Sequence, residues 1–203
     1  MSLFIVFEGL DGSGKSTQQQ LLNAKLKSDK ISTISFREPG STIIGNQIVE
    51  ILQSDQKLSP LSELLLFYVS RSAIIEEKIK PALDNHDVVI CDRYFYSSIA
   101  YQGYGRGIDI NFINQINDQV VKNIIPDLIF YMDINWEEKK NRKGINVKDR
   151  FEKEDRNFHN KVRSGYKSLA KKDLDKWKII DAEEDVNKIS SFIYETVKSK
   201  LNI

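Results

Sequence analysis

The segment Gly9-Leu10-Asp11-Gly12-Ser13-Gly14-Lys15-Ser16 fits G-x-x-x-x-G-K-[ST], and with its flanks it restricts the fold more than any other stretch of the chain. Before it stands an apolar run of strand length, Leu3 to Phe7. After it, Ser16 to Lys27 spaces apolar residues as an amphipathic helix does. A glycine-rich turn between strand and helix aims backbone N–H groups at phosphate oxygens, and the helix adds the positive end of its dipole. In such a turn Lys15 reaches the β and γ phosphates of a nucleoside triphosphate, and the Ser16 hydroxyl ligates Mg²⁺.

The rest of the chain repeats this alternation. Apolar runs at Ile31 to Phe36, Val88 to Cys91, Leu128 to Met132 and Trp177 to Ile180 are separated by helix-length periodic segments, Ile43 to Leu52, Leu61 to Leu83, Asn111 to Lys122 and Val186 to Leu201. Strands this apolar imply helices on both faces, so the expectation is an α/β three-layer fold around a parallel sheet of about five strands. With 203 residues, no repeat and no linker, residues 1–203 read as a single domain. From Glu137 to Arg156 apolar residues thin out and Lys139, Lys140, Arg142, Lys143, Lys148, Arg150 and Arg156 crowd in. This stretch is expected outside the core, as a solvated excursion between the fourth strand and the next helix.

Charge then narrows the function. Thirty Lys and Arg against 29 Asp and Glu leave a formal +1, which draws the protein neither to nucleic acid nor to a membrane surface. No N-K-x-D base reader occurs, and no D-x-x-G lies outside the phosphate loop, so a signalling GTPase is excluded. One cysteine, Cys91, rules out an internal disulfide and points to a reducing compartment. The first apolar stretch is too short for a secretion signal and no run spans a membrane, so a cytoplasmic location is expected. Cys91, His86 and His159 have no partner set for nucleophilic or metal chemistry and are read as structural. A small-molecule kinase fits what remains. Asp92-Arg93-Tyr94 follows the third strand, at the strand end where open α/β sheets bind ligands; there Asp92 suits a water-held Mg²⁺ and Arg93 a phosphate.

At this point the chain resembles the thymidylate kinase family of P-loop nucleoside monophosphate kinases. The resemblance rests on Phe7-Glu8-Gly9 through Thr17, Arg37-Glu38-Pro39-Gly40, Phe67-Tyr68-Val69-Ser70-Arg71, Asp92-Arg93-Tyr94 with Tyr101-Gln102-Gly103, and Asp149-Arg150-Phe151-Glu152, in the family's order. It implies an enzyme that phosphorylates dTMP with ATP and Mg²⁺ and forms a homodimer. ATP contacts would come from Gly9, Leu10, Asp11, Gly12, Ser13, Gly14, Lys15, Ser16, Thr17 and Ala182, and metal contacts from Ser16, Asp92 and Asp11. On the acceptor side, Phe67 would stack on thymine and Arg71 would donate to a base carbonyl. Arg93 would grip the phosphate, with Ser97, Ser98 and Gln102 alongside. Tyr101 would disfavour a ribose hydroxyl, and Arg37, Glu38 and Pro39 would form a neighbouring loop. Because Leu10-Asp11-Gly12-Ser13 carries no cation, the resemblance also makes 137–156 a lid whose Arg150, and after it Arg142, meets the transition-state charge beside Lys15, Arg93 and Asp11. The alternatives are another deoxynucleotide kinase, a deoxynucleoside kinase using Glu8 or Glu38 as base, and an ATP-sensing module without an acceptor pocket.

Overall fold

The computed structural model describes residues 2–142 and 150–201. Five parallel strands, β1 (Leu3–Gly9), β2 (Thr33–Arg37), β3 (Val88–Asp92), β4 (Leu128–Asp133) and β5 (Trp177–Asp181), form one sheet in the order β2-β3-β1-β4-β5. All residues of β1 and β3 are buried, as strands covered on both faces must be. Helices α1 (Lys15–Ser28) and α9 (Val186–Leu201) pack on each other, while α2 (Ile43–Gln53) packs on α3 (Pro60–Ile74). The chain leaves β1 toward β2 on one side and returns from β3 to β4 on the other, which opens a crevice beyond the carboxyl ends of β1 and β3.

Two departures from the expected elements matter for the site. The single helix expected over 61–83 is α3, a π-helical turn at Ile75–Ile79, and α4 (Lys80–Asn85). Pro81 explains the break, because its ring removes an amide donor and crowds the preceding turn. After β3, α5 (Phe95–Ser98) runs into a second π-helical segment, Ile99–Gly105, ahead of α6 (Ile110–Val120).

The stretch 137–156 does reach the core, contrary to its charge. Lys139 on α7 (Trp136–Arg142) is buried; its Nζ lies 3.1 Å from Glu152 Oε2 and 4.9 Å from the Trp136 ring centre. Phe151 is buried among Phe67, Tyr101 and Phe158. A count of charges misses this because an ammonium met by a carboxylate and an aromatic face is tolerated inside. Lys143, Lys148 and Asp149 lie outside the described residues. Helix α8 (Arg156–Ala170) starts behind Asp155, whose Oδ1 accepts from Phe158 N at 2.8 Å.

Candidate active site

The phosphate loop joins β1 to α1 and bends through Gly9 at φ +137°, Gly12 at +79° and Gly14 at +92°. A Cβ at Gly9 would stand 2.5 Å from the Met132 carbonyl oxygen, so only glycine lets the loop start this close to β4. The first turn of α1 holds no acidic residue and no side-chain cap, leaving its N–H groups for an anion. Lys15 is buried, and its Nζ donates to the carbonyls of Gly9 at 3.1 Å and Leu10 at 3.0 Å. Burial, with Arg93 nearby, pushes its ammonium down to about 8. Ser16 and Thr17 are exposed, and the Ser16 hydroxyl lies 3.4 Å from Asp92 Oδ2. Asp92 Oδ1 is buried without a hydrogen-bond partner among the described residues.

Arg93 follows β3 at φ +70°, a left-handed conformation that a non-glycine residue adopts at a cost. Its guanidinium meets Asp11 Oδ1 at 2.9 Å, Ser97 Oγ at 3.3 Å, Tyr166 Oη at 3.4 Å and Tyr101 Oη at 3.5 Å. Beneath it lies Glu8, fully buried, accepting from Tyr94 N at 2.9 Å, Ser97 Oγ at 2.6 Å and Tyr166 Oη at 2.8 Å. Burial pushes the Glu8 carboxyl up, against the pull of Arg93 and these donors.

A cavity of about 300 Å³ opens beside this cluster. Arg37, Glu38 and Pro39 form one wall, and Phe67 of α3 another. Asp11, Arg93, Ser97, Ser98, Tyr101 and Gln102 complete it, with Arg150 at the rim. Tyr101 is buried against Phe151, with ring centres 5.1 Å apart.

Arg71 does not line the cavity. It is 1% exposed and donates from Nε to Glu38 Oε2 at 3.0 Å, from Nη1 to Ser98 Oγ at 2.9 Å and from Nη2 to the Tyr94 carbonyl at 3.4 Å. Although it shares a helix face with Phe67, it stands behind the Glu38 and Ser98 walls, because a buried guanidinium must find acceptors for its donors. Burial pushes the Glu38 carboxyl up to about 7, with Arg71 pulling the other way, and Glu38 Oε1 is buried without a partner among the described residues.

The two candidate lid arginines part company. Arg150 donates from Nε to the Leu52 carbonyl at 2.7 Å and from Nη2 to the Gln56 carbonyl at 3.1 Å, which holds it at the rim of the cavity. Arg142 pairs with Glu138 at 3.0 Å on the half-exposed surface of α7. Ala182, just past β5, is buried, and its N–H donates to the Asp133 carbonyl at 2.9 Å. Cys91 is a buried free thiol. His159 is buried with its ring stacked on Trp136, and burial, with the Lys139 ammonium nearby, drives its pKa down to about 4.

Sequence reasoning missed Tyr166, Glu63 and Arg106. Tyr166 comes from α8, whose extent was not read from the periodicity. Glu63 and Arg106 find each other only through the fold, with Nη2 and Oε2 3.1 Å apart. Glu8 left a visible sign, being one carboxylate at the end of an otherwise apolar strand.

Comparison with known proteins agrees with this geometry. The family model described as thymidylate kinase matches residues 7–193. A curated thymidylate kinase of Dehalococcoides mccartyi is 41% identical over 199 residues, covering 97% of this chain and 96% of its own. One from Thermoanaerobacter pseudethanolicus is 39% identical over 199 residues, covering 98% of each. The crystal structure of thymidylate kinase from Ehrlichia chaffeensis superposes with a TM-score of 0.79 at 34% identity, covering 97% of this chain and 98% of that one. Strand order, phosphate loop, acceptor cavity and these likenesses agree, and the chain belongs to the thymidylate kinase family.

Proposed function

We propose that the chain transfers the γ-phosphoryl group of ATP to dTMP, giving dTDP and ADP. The observation that carries this reading is the 2.9 Å ion pair between Asp11 and Arg93. It ties the phosphate loop to the floor of the acceptor cavity, so donor phosphates over α1 and an acceptor phosphate at Arg93 adjoin.

On this reading Gly9 to Thr17 cradle the triphosphate and Ala182 borders the adenine. Lys15 turns from the Gly9 and Leu10 carbonyls to the β and γ oxygens. Phe67 faces the thymine, Tyr101 crowds the sugar, and Ser97, Ser98, Gln102 and the Arg37-Glu38-Pro39 loop enclose the nucleotide. An oxygen of the dTMP phosphate attacks the γ phosphorus in line as the bond to the ADP oxygen breaks. The acceptor is already an anion near neutral pH, so no protein base is needed, and positioning and positive charge do the catalysis. Lys15, Arg93 and Arg150 supply that charge, with Arg142 contributing less from the surface of α7, while Asp11 orients Arg93.

Ser16 and Asp92 fit a magnesium ion, because the hydroxyl is open and Asp92 Oδ1 is a buried acceptor with no partner among the described residues. When bound, Mg²⁺ neutralises charge on the β and γ phosphates. The partner protein is a second copy of the chain. Leu65 with Leu61 and Val69 forms an exposed apolar row on α3, and Ile43, Ile44 and Ile51 are exposed on neighbouring α2. Leu64 is core and Phe67 faces the cavity, so neither belongs to that face. No helix among the described residues is long and apolar enough to cross a membrane, and the proposed location is the cytoplasm.

A deoxynucleoside kinase is disfavoured, since Glu8 is consumed by Tyr94, Ser97 and Tyr166 and Arg93 at the cavity suits an acceptor phosphate that a nucleoside lacks. The test is ADP release across a panel of nucleosides and monophosphates, in which dTMP is the preferred acceptor. Thymidine preferred over dTMP, or ATP binding without any acceptor turnover, would refute the reading.

A further inference from the structure

Glu63 lies on α3 one helical turn before Phe67, and is 2% exposed. Its carboxylate gathers two side chains. Gln102 Nε2 donates to Oε1 at 2.9 Å. Arg106 donates to the same oxygen from Nε at 3.3 Å and to Oε2 from Nη2 at 3.1 Å. Arg150 Nη1 stands 3.7 Å from Oε2.

This arrangement decides which end of the Gln102 amide does what. A carboxylate opposed by a guanidinium only accepts hydrogen bonds, so the amide nitrogen must face Glu63. With one N–H of the amide committed to Glu63, the carbonyl oxygen is the acceptor that Gln102 has to offer the cavity whose wall it helps to form. Reversing the amide would set its oxygen against the Glu63 carboxylate, an acceptor against an acceptor, and leave a buried donor unmade.

We propose that Glu63 is a positioning residue for base selection: by locking the Gln102 amide it presents an acceptor, and not a donor, to the edge of the acceptor base. The proposal rests on the reading of the cavity as the dTMP site. Thymine carries a donor at N3–H, which such an oxygen accepts. Cytosine carries a lone pair at N3, which faces the same oxygen unfavourably. Discrimination of this kind comes from a polar group that is not free to turn, and it exceeds what shape alone supplies.

The test is kcat/KM for dTMP and dCMP in the wild type, Glu63→Met, Gln102→Leu and the double variant. Glu63→Met removes the acceptor at similar length, and Arg106 keeps Glu154 at 2.5 Å. The Gln102 amide is then able to turn its NH₂ to cytosine, so dCMP improves relative to dTMP and the preference narrows at least ~10-fold. In the Gln102→Leu background the same substitution leaves the ratio unmoved. Should Glu63→Met unfold below the assay temperature, Glu63→Gln keeps the volume but can turn either a donor or an acceptor to Gln102, so it no longer fixes the amide and narrows the ratio in the same direction. A purely structural ion pair lowers turnover of both substrates alike, so an unchanged ratio in a folded variant overturns the proposal. A narrowing that persists without Gln102 overturns it as well. A wild type inactive with dTMP would overturn the functional reading itself, and is seen before any variant is made.

Discussion

Asp11 of the phosphate loop and Arg93 at the end of β3 share a 2.9 Å ion pair while Arg93 holds a left-handed backbone conformation at φ +70°. On the proposed reading this places the guanidinium where the two substrates meet, and its planar fork can hold two phosphate oxygens at once. Arg93→Lys keeps the charge and loses the fork, so KM for dTMP should rise at least ~10-fold in steady-state kinetics. An unchanged KM would remove Arg93 from the acceptor phosphate.

Lys15 gives a pH signature of known sign. Its ammonium stands at about 8 in the fold against 10.5 as its ordinary value. Between those pH values the unfolded chain binds more protons than the folded one, so stability rises with pH across that window and is penalised below it. Denaturant unfolding should show this slope in the wild type and lose it in Lys15→Met. ATP needs the charged form, so its affinity should fall as pH rises through about 8; calorimetric titration at several pH values checks this.

Glu38 and Arg71 form a buried pair 3.0 Å apart, each 1% exposed at the side chain. Arg71→Ala leaves the carboxylate uncompensated and should cost ~3–5 kcal/mol of stability. Removing both charges, as Glu38→Leu with Arg71→Met, should recover most of that loss in urea unfolding. Equal destabilisation by the single and double variants would mean that the pair does not act as a unit.

Arg150 and Arg142 should differ sharply. Arg150 touches the cavity and, among the described residues, is held by two neutral carbonyls and the more distant Glu63, whereas Arg142 is paired on the helix surface. Arg150→Ala should lower kcat at least ~10²-fold, and Arg142→Ala less than ~5-fold. The reverse order in single-turnover measurements would make Arg142 the transition-state arginine.

The strands, the phosphate loop and the Asp92-Arg93 strand end were legible because each depends on a local pattern, an apolar run or a fixed glycine spacing. The buried position of Arg71 was not, because helical spacing gives the face of a residue and not the acceptors that wait there. Lys139 and Phe151 were hidden for a related reason, as their partners Glu152, Trp136 and Phe67 come together only through the fold. Tyr166 reaches Glu8 across 158 residues of sequence, a distance over which no periodicity speaks.

The central claim is that one chain brings an ATP γ-phosphoryl group and a dTMP phosphate together across Asp11 and Arg93. Incubation with γ-labelled ATP and dTMP tests it most directly, with the products separated and the label located. The account predicts label in the terminal phosphate of dTDP, in proportion to the ADP formed, and near-complete loss of transfer in Lys15→Ala with the fold retained. Label released only as inorganic phosphate, or transfer that survives in Lys15→Ala at near-normal kcat, would contradict it.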